Sequence, residues 1–465
     1  MGKQRVQAFY PLSNRETSIA MDAHLINGIV EKGNPHDEVW IRKRPGYILS
    51  STLPAGQASG ITYTYWGLLS VFGNNVYVVS TNLGSLGAPA IGMVAGRNSS
   101  TGTDGNTILI NTSAAAWVVD YSTLSHTNTL TNVTSGASFA GTTLINGSAY
   151  LDGTYYLASA VGIYASDLND PTSWPALNVL KNQSEGDDFV YMAQQLVYII
   201  MLKQFSIDVY YDAANPTGSP LGRVGGGKQN IGCFNPATVQ NFGELLVWVG
   251  NTVSGPNGVY AMEGLKLSKI STPAVERLIF GNLGGTLYSF NFSVAGHVYY
   301  CLTSTTVNYT LAYDFLMQTW YIWQSPTGSY MPIAESTVDT QGNIYLQDIS
   351  NGNIYTVDPT AYADNGVPFA LTLQTDNIDF GSRSLKNNVY VDLVTDQVSN
   401  SVATISYTTD DFQTFSTPLA LDLSQDRVFI SDLGEWRKIA FNITHNMQLD
   451  FRIKALEFTA DAGSF

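Results

Sequence analysis

The residues best able to do chemistry fall in a few short stretches. "GRVGGGKQ" (222–229) comes within one residue of the pattern GxxxxGK[ST]. There, loop amides cradle phosphates, the lysine neutralises them and the hydroxyl holds magnesium. Gln229 replaces the hydroxyl, and the following "NIGCFNPA" has no helical period. The stretch reads as a glycine-rich connection between strands. The histidines, His24, His36, His126, His297 and His445, are scattered, with no HxH or HExxH spacing, so no zinc site is expected. "GHVYYC" puts His297 in a strand, where a hydrogen-bonded structural role is the default. Cys233 and Cys301 lack a CxxC partner and read as small buried apolar residues. No serine sits in a nucleophile elbow, and no carboxylate pair is marked as acid and base. The expectation is no catalytic residue, no cofactor and no metal.

"TTDDFQTF" (408–415) resembles the Asp-box turn of sialidase propellers, a structural element, with Phe412 in the place of its glycine. The tyrosines and tryptophans at strand ends read as packing residues before a sugar platform. One charged stretch stands out. "IRKRPGY" (41–47) carries Arg42, Lys43 and Arg44, a basic run able to dock on an acidic surface or to sit solvated in a turn. The chain has a net charge of −15, yet residues 1–50 hold seven Lys/Arg against five Asp/Glu. So acidic a body does not grip nucleic-acid phosphates by itself.

The elements that carry these residues are β-strands. Only 13% of the 465 residues are charged, while Gly (42) and Tyr (27) are plentiful, as in turn-rich β structure. "LAYDFLMQTWYIW" (311–323) reads as two strands around a tight turn. The unit recurs: apolar pairs end at Ser80, Asp120, Asp167, Asp212, Glu263, Asp314 and Asp358, spaced 40–51 residues apart. Such spacing, with several strands per unit, is the mark of a β-propeller. Closing the ring covers both faces of each small sheet and protects its edges. The expected fold is all-β: a propeller of six or seven blades over 51–362, a C-terminal β-sandwich-like domain over 363–465, and an extended N-terminal docking segment, 1–50. "STPAVERLIF" (271–280) is the one good helix candidate in the propeller, capped by Ser271 or Thr272, with Pro273 in its first turn. The start "MGKQRVQAFYPLSN" lacks the apolar core of a signal peptide, and "LVYIIML" (196–202) is too short to cross a bilayer. Synthesis in the cytoplasm without membrane insertion is expected.

An ordered set of segments is similar to the tail-nozzle, or packaged-DNA stabilization (tail hub), proteins of short-tailed bacteriophages. "HLINGIVEKGNP" and "IRKRPGY" resemble the family's opening segment and its Arg-x-x-Pro-Gly turn, here Arg42–Gly46. "ASDLNDPTSWPALN", "FVYMAQQLVYIIMLKQFSIDVYYDA", "GGKQNIGCFNPATVQNFGELLVWVG", "GVYAMEGLKLSKISTPAVERLI" and "LAYDFLMQTWYIW" follow in the family's order. "SYTTDDFQTFSTP", "GEWRKIAFNIT" and "LDFRIKALEF" resemble its closing β domain. The family's Arg-rich run near the C-terminus is reduced to Arg437 and Lys438 beside Trp436. The resemblance implies a structural virion component and no enzyme. It implies a homo-hexameric ring in the tail, below portal and adaptor, extending the exit channel for double-stranded DNA and holding tail fibres or spikes. The competing class is a carbohydrate-binding or glycan-cleaving propeller. Against it stand the absence of repeated Asp-boxes and of an arginine cluster for acidic sugars.

The glycine-rich stretch gives a direct test. The purified chain is expected not to hydrolyse ATP; turnover that vanishes in Lys228→Ala would restore a nucleotide site at 222–229.

Overall fold

The computed structural model describes residues 2–13, 22–32, 39–99, 103–122, 125–182, 186–253, 257–281 and 285–462. Among them are seven small antiparallel sheets in chain order. Six span 58–85, 92–132, 149–181, 189–223, 232–269 and 287–323. The seventh is built from Ile333–Val338, Ile344–Asp348 and Asn353–Asp358. The spacing signal reports this repeat directly. Each acidic or polar end point lies in, or one or two residues past, the third strand of its sheet, from Asn75–Val78 in the first to Asn353–Asp358 in the last. Middle strands are buried on both faces; all six residues of Thr154–Ser159 are buried. A blade meets a neighbour on either side, so a continuous apolar run replaces the alternation of a one-sided sheet.

The hairpin that opens the repeat argument forms as Thr310–Asp314 and Thr319–Trp323, with Gln318 at φ 52° in the turn. Asp314 accepts the amides of Leu316 and Met317 at 2.9 and 3.2 Å. Asp212 and Asp358 likewise accept the amides of Ala214 and Thr360. Asp167 departs from this: its carboxylate takes the Ser173 hydroxyl at 2.5 Å. The hairpin 245–264 forms as well; Ser254, Gly255 and Pro256 of its expected "SGPNG" loop lie outside the described residues. α1 (Pro273–Phe280) links the fifth and sixth sheets. Thr272 caps it, Pro273 occupies its first position, and Val275, Leu278 and Ile279 bury one face.

The N-terminal residues are woven through the rest of the molecule. β1 (Gly2–Gln7) and β4 (Val39–Lys43) pair with the last strand, Arg452–Ala462, and β3 (Gly28–Lys32) pairs with β4. β2 (His24–Ile26) bridges Thr319–Trp323 of the sixth blade and Leu371–Gln374. One nine-stranded sheet therefore runs from the sixth blade into the C-terminal region. A second sheet, carrying β1, β3 and β4, packs on its far part. Leu371, Leu373, Ile405 and Ile443 meet Val391, Leu393, Ile453 and Phe458 in one core that also holds Phe292, Tyr299 and Trp323 of the sixth blade. This is a β-sandwich fused to the propeller by shared sheet and shared core.

β5 (Gly46–Thr52) completes the seventh blade as its outer strand, pairing antiparallel from Gly46 opposite Asp358 to Thr52 opposite Asn353. Ala363–Asp364 then joins the other edge of β5. The expected cuts at 50/51 and 362/363 thus fall inside one sheet. Local periodicity ends a segment where its pattern changes, whereas this blade takes its fourth strand from some 300 residues upstream.

A chain beginning at Leu53 should lose the outer edge of the seventh blade together with β1–β4. It is expected to melt at lower temperature and over a broader range than the full chain, and to recover on addition of a peptide covering 22–52, which carries Asn27 as well as Arg44 and β5. An unchanged melting curve would show that β5 does not close the ring.

Candidate functional site

The basic run singled out by the sequence lies where propeller and sandwich meet. β4 turns Ile41 and Lys43 inward and Trp40 and Arg42 outward. Pro45 cannot continue the ladder and ends the strand. Gly46 is required by proximity: a Cβ there would stand 2.0 Å from the Ala363 carbonyl oxygen.

Arg44 is 1% exposed and uses all five of its N–H groups. Nε donates to Asn27 Oδ1 at 3.0 Å. Nη1 donates to Asp364 Oδ1 at 2.9 Å and to the Pro45 carbonyl at 3.0 Å. Nη2 donates to Asp364 Oδ2 at 2.6 Å and to the Gln324 carbonyl at 2.9 Å. Its guanidinium lies 3.9 Å from the centre of the Phe369 ring. Asn27, at φ 53°, also receives the Gln324 amide at 2.7 Å and gives its own side-chain N–H to the Ala370 carbonyl at 3.0 Å. Two side chains thereby tie together β2–β3, the exit of the sixth blade, the seventh blade's sheet and the start of the sandwich.

Lys43 is also buried and donates to the Met447 carbonyl at 2.6 Å. Burial, then the Arg44 charge, brings its pKa down to about 8. Burial pushes Asp364 upward against the pull of Arg44 and Lys43. His445, bonded to Ser401 at 2.9 Å, is brought down to about 4 by burial and then by Lys43. His24 falls to about 4 through burial. Both are neutral at physiological pH. Outside this cluster a cleft of about 380 Å³ is lined by Tyr47, Tyr330, Tyr355 and Asp364.

The expectation of a solvent-facing basic patch at Arg42, Lys43 and Arg44 is corrected for two of the three. Lys43 and Arg44 face inward because β4 runs straight into the ring-closing strand. Arg42 stays partly exposed, paired with Glu31 at 2.8 Å. Asn27, Gln324, Asp364 and Phe369, which complete the cluster, carried no local signal; they stand 17 to 325 residues from Arg44 along the chain.

The other chemistry-bearing stretches take structural positions. Leu221–Arg223 is the outer strand of the fourth blade, and the glycines after it lead to an inner strand, not to a helix. Asp410 receives the Gln413 and Thr414 amides at 3.0 Å and the Thr414 hydroxyl at 2.5 Å, which holds its pKa near 2. This is a tight Asp-centred turn in the sandwich, and Phe412 adopts φ 66°, the conformation that a glycine takes without strain. His297 is buried against Asp314 at 2.7 Å, within the sixth blade. His126 is exposed and His36 lies outside the described residues. Cys233 and Cys301 are free and buried. Among the described residues no group of three or more His, Cys, Asp or Glu could hold a metal ion.

Asp364→Asn would leave a buried guanidinium without its counter-charge. The expected loss is about 3–5 kcal/mol in denaturant unfolding. Arg44→Met combined with Asp364→Leu should recover a large part of that loss. Equal losses in the single and double variants would show that the paired charges are not what the junction depends on.

A family model described as "Bacteriophage P22 Gp10, beta-propeller" matches residues 30–362. No curated protein matches the chain. Among solved structures, the N-terminal domain of Nup159 aligns over 72% of this chain and 99% of its own, at 11% identity and a TM-score of 0.41. Hydrazine synthase of Kuenenia stuttgartiensis aligns over 68% and 99%, at 10% identity and 0.41. An exo-β-1,3-galactanase of Phanerochaete chrysosporium aligns over 90% and 100%, at 9% identity and 0.28.

Proposed function

We propose, from the chain's membership of the phage-stabilisation family described as bacteriophage P22 Gp10, a β-propeller, that it forms the nozzle of a short-tailed phage. In this reading six copies make a ring below portal and adaptor. The ring lengthens the DNA exit channel, helps retain packaged DNA and carries fibres or spikes. The observation that carries the proposal is the family match over residues 30–362, which takes in the closing strand β5 and every blade.

The geometry supports a channel made between copies. The cavity on the propeller's own axis is about 450 Å³ and is lined by inner-strand residues of successive blades. A duplex whose major groove alone is about 12 Å wide does not pass through it. In this reading DNA runs along outer surfaces of several chains arranged around it, which calls for head-to-tail contacts that close. The net charge of −15 suits such a wall, since phosphates slide past acidic groups without being held. Glycan cleavage has less support: the one Asp-box-like turn lies in the sandwich and is occupied by its own amides.

The chain alone is expected to sediment as a monomer or a weak oligomer, and to appear as a sixfold ring when imaged on portal–adaptor complexes. Filled heads lacking it should leak DNA. A tight dimer that ignores the adaptor, or heads that keep their DNA without it, would remove the nozzle reading.

A further inference from the structure

The axial cavity has a chemistry of its own. Residues from the inner strands, or the segments next to them, of all seven blades line it, including Gln57, Ser59, Asn146, Tyr191, Tyr288 and Glu335. Glu335, on the inner strand of the seventh blade, is the only charged residue in the lining, which holds no lysine, arginine or histidine. It forms no ion pair among the described residues. A carboxylate enclosed without a counter-ion is costly, and structures normally supply a partner. Here Glu335, half-buried at the cavity wall, has Gln240 as a hydrogen-bond partner, and the lining supplies no cation.

We propose that the axial cavity is a binding site for a small organic ammonium ion, with Glu335 as counter-charge and the Tyr191 and Tyr288 side chains as its flanking walls. One carboxylate matches one ammonium charge. Aromatic rings attract such cations, best when both are shielded from water. A hard metal ion is the poorer fit: calcium takes six to eight oxygen ligands, commonly with several carboxylates, and this lining has one. The volume, about 450 Å³, admits an alkylammonium chain together with water. A cation seated there would contact several blades at once and brace the ring from within.

Glu335 also sets a pH dependence. Burial raises its pKa from 4.5 to about 7, opposed by a hydrogen bond from Gln240. Below about pH 7 the folded state thus favours the protonated acid. Its contribution to stability falls as pH rises from about 4.5 through about 7, and an ammonium ion that needs the carboxylate binds more tightly over the same rise.

The test uses the full chain in isothermal titration with n-butylammonium and tetramethylammonium chlorides at pH 8 and pH 6, with KCl and CaCl₂ as separate arms. Saturable binding near one per chain is expected at pH 8, severalfold weaker at pH 6 and at least tenfold weaker in Glu335→Gln. Tyr288→Leu, which keeps the carboxylate, should weaken tetramethylammonium binding severalfold and provides the second readout if Glu335→Gln fails to fold. The proposal is overturned by no saturable heat, by binding unchanged in the folded variants, or by tighter binding of potassium or calcium than of either amine.

Discussion

A ring of sheets must be closed somewhere, and here the closure depends on one buried arginine. Arg44 stands between β4, which belongs to the sandwich, and β5, which belongs to the seventh blade. All five of its donors are satisfied, by the neighbouring Pro45 carbonyl and by groups from three distant parts of the chain. A buried guanidinium is tolerated only when fully bonded and charge-matched. This makes the junction demanding: Asp364, Asn27 and the Gln324 carbonyl must all be in place before β5 can lie on the seventh blade. Propeller closure and sandwich formation are consequently linked, and neither is an independent module with a flexible connection.

The same linkage explains what the sequence revealed and what it concealed. The blade repeat was legible because every third strand ends alike, so residues such as Asp212, Asp314 and Asp358 recur at near-constant spacing. α1 was legible from Thr272, Pro273 and its apolar stripe, all local signals. The fate of Lys43 and Arg44 was not, because charge in a sequence says nothing about burial when the partner lies about 320 residues away. Nor could the segment 1–50 show that it supplies strands to three different sheets. A strand's partners are set by topology, whereas periodicity reports only its faces. Glu335 escaped notice for a related reason: one glutamate in an inner strand looks ordinary until seven blades converge around it.

Long-range pairing also bears on how such a chain folds. β5 is made early in the sequence, yet the strand it must join, Asn353–Asp358, comes about 300 residues later. Loop closure of that length carries an entropic cost that grows only slowly with length, but contacts of high sequence separation form late. During that interval β2 and β5 wait without their partner strands, and unpaired strands invite pairing with other chains. Placing the buried ion pair at the start of β5 fixes its register once the sandwich is formed, which favours self-closure over exchange between copies.

In the proposed nozzle, this arrangement sets what can move. The exposed surfaces sit on a body whose two parts share a nine-stranded sheet and a single core cluster. Force applied to the sandwich is therefore transmitted to the sixth blade through β2 and the strand Thr319–Trp323, and to the seventh through Arg44 and β5. Rotation of sandwich against propeller would break buried hydrogen bonds at both places. In a ring of the proposed kind, opening and closing would then come from whole chains tilting against one another, with each chain moving as a rigid body.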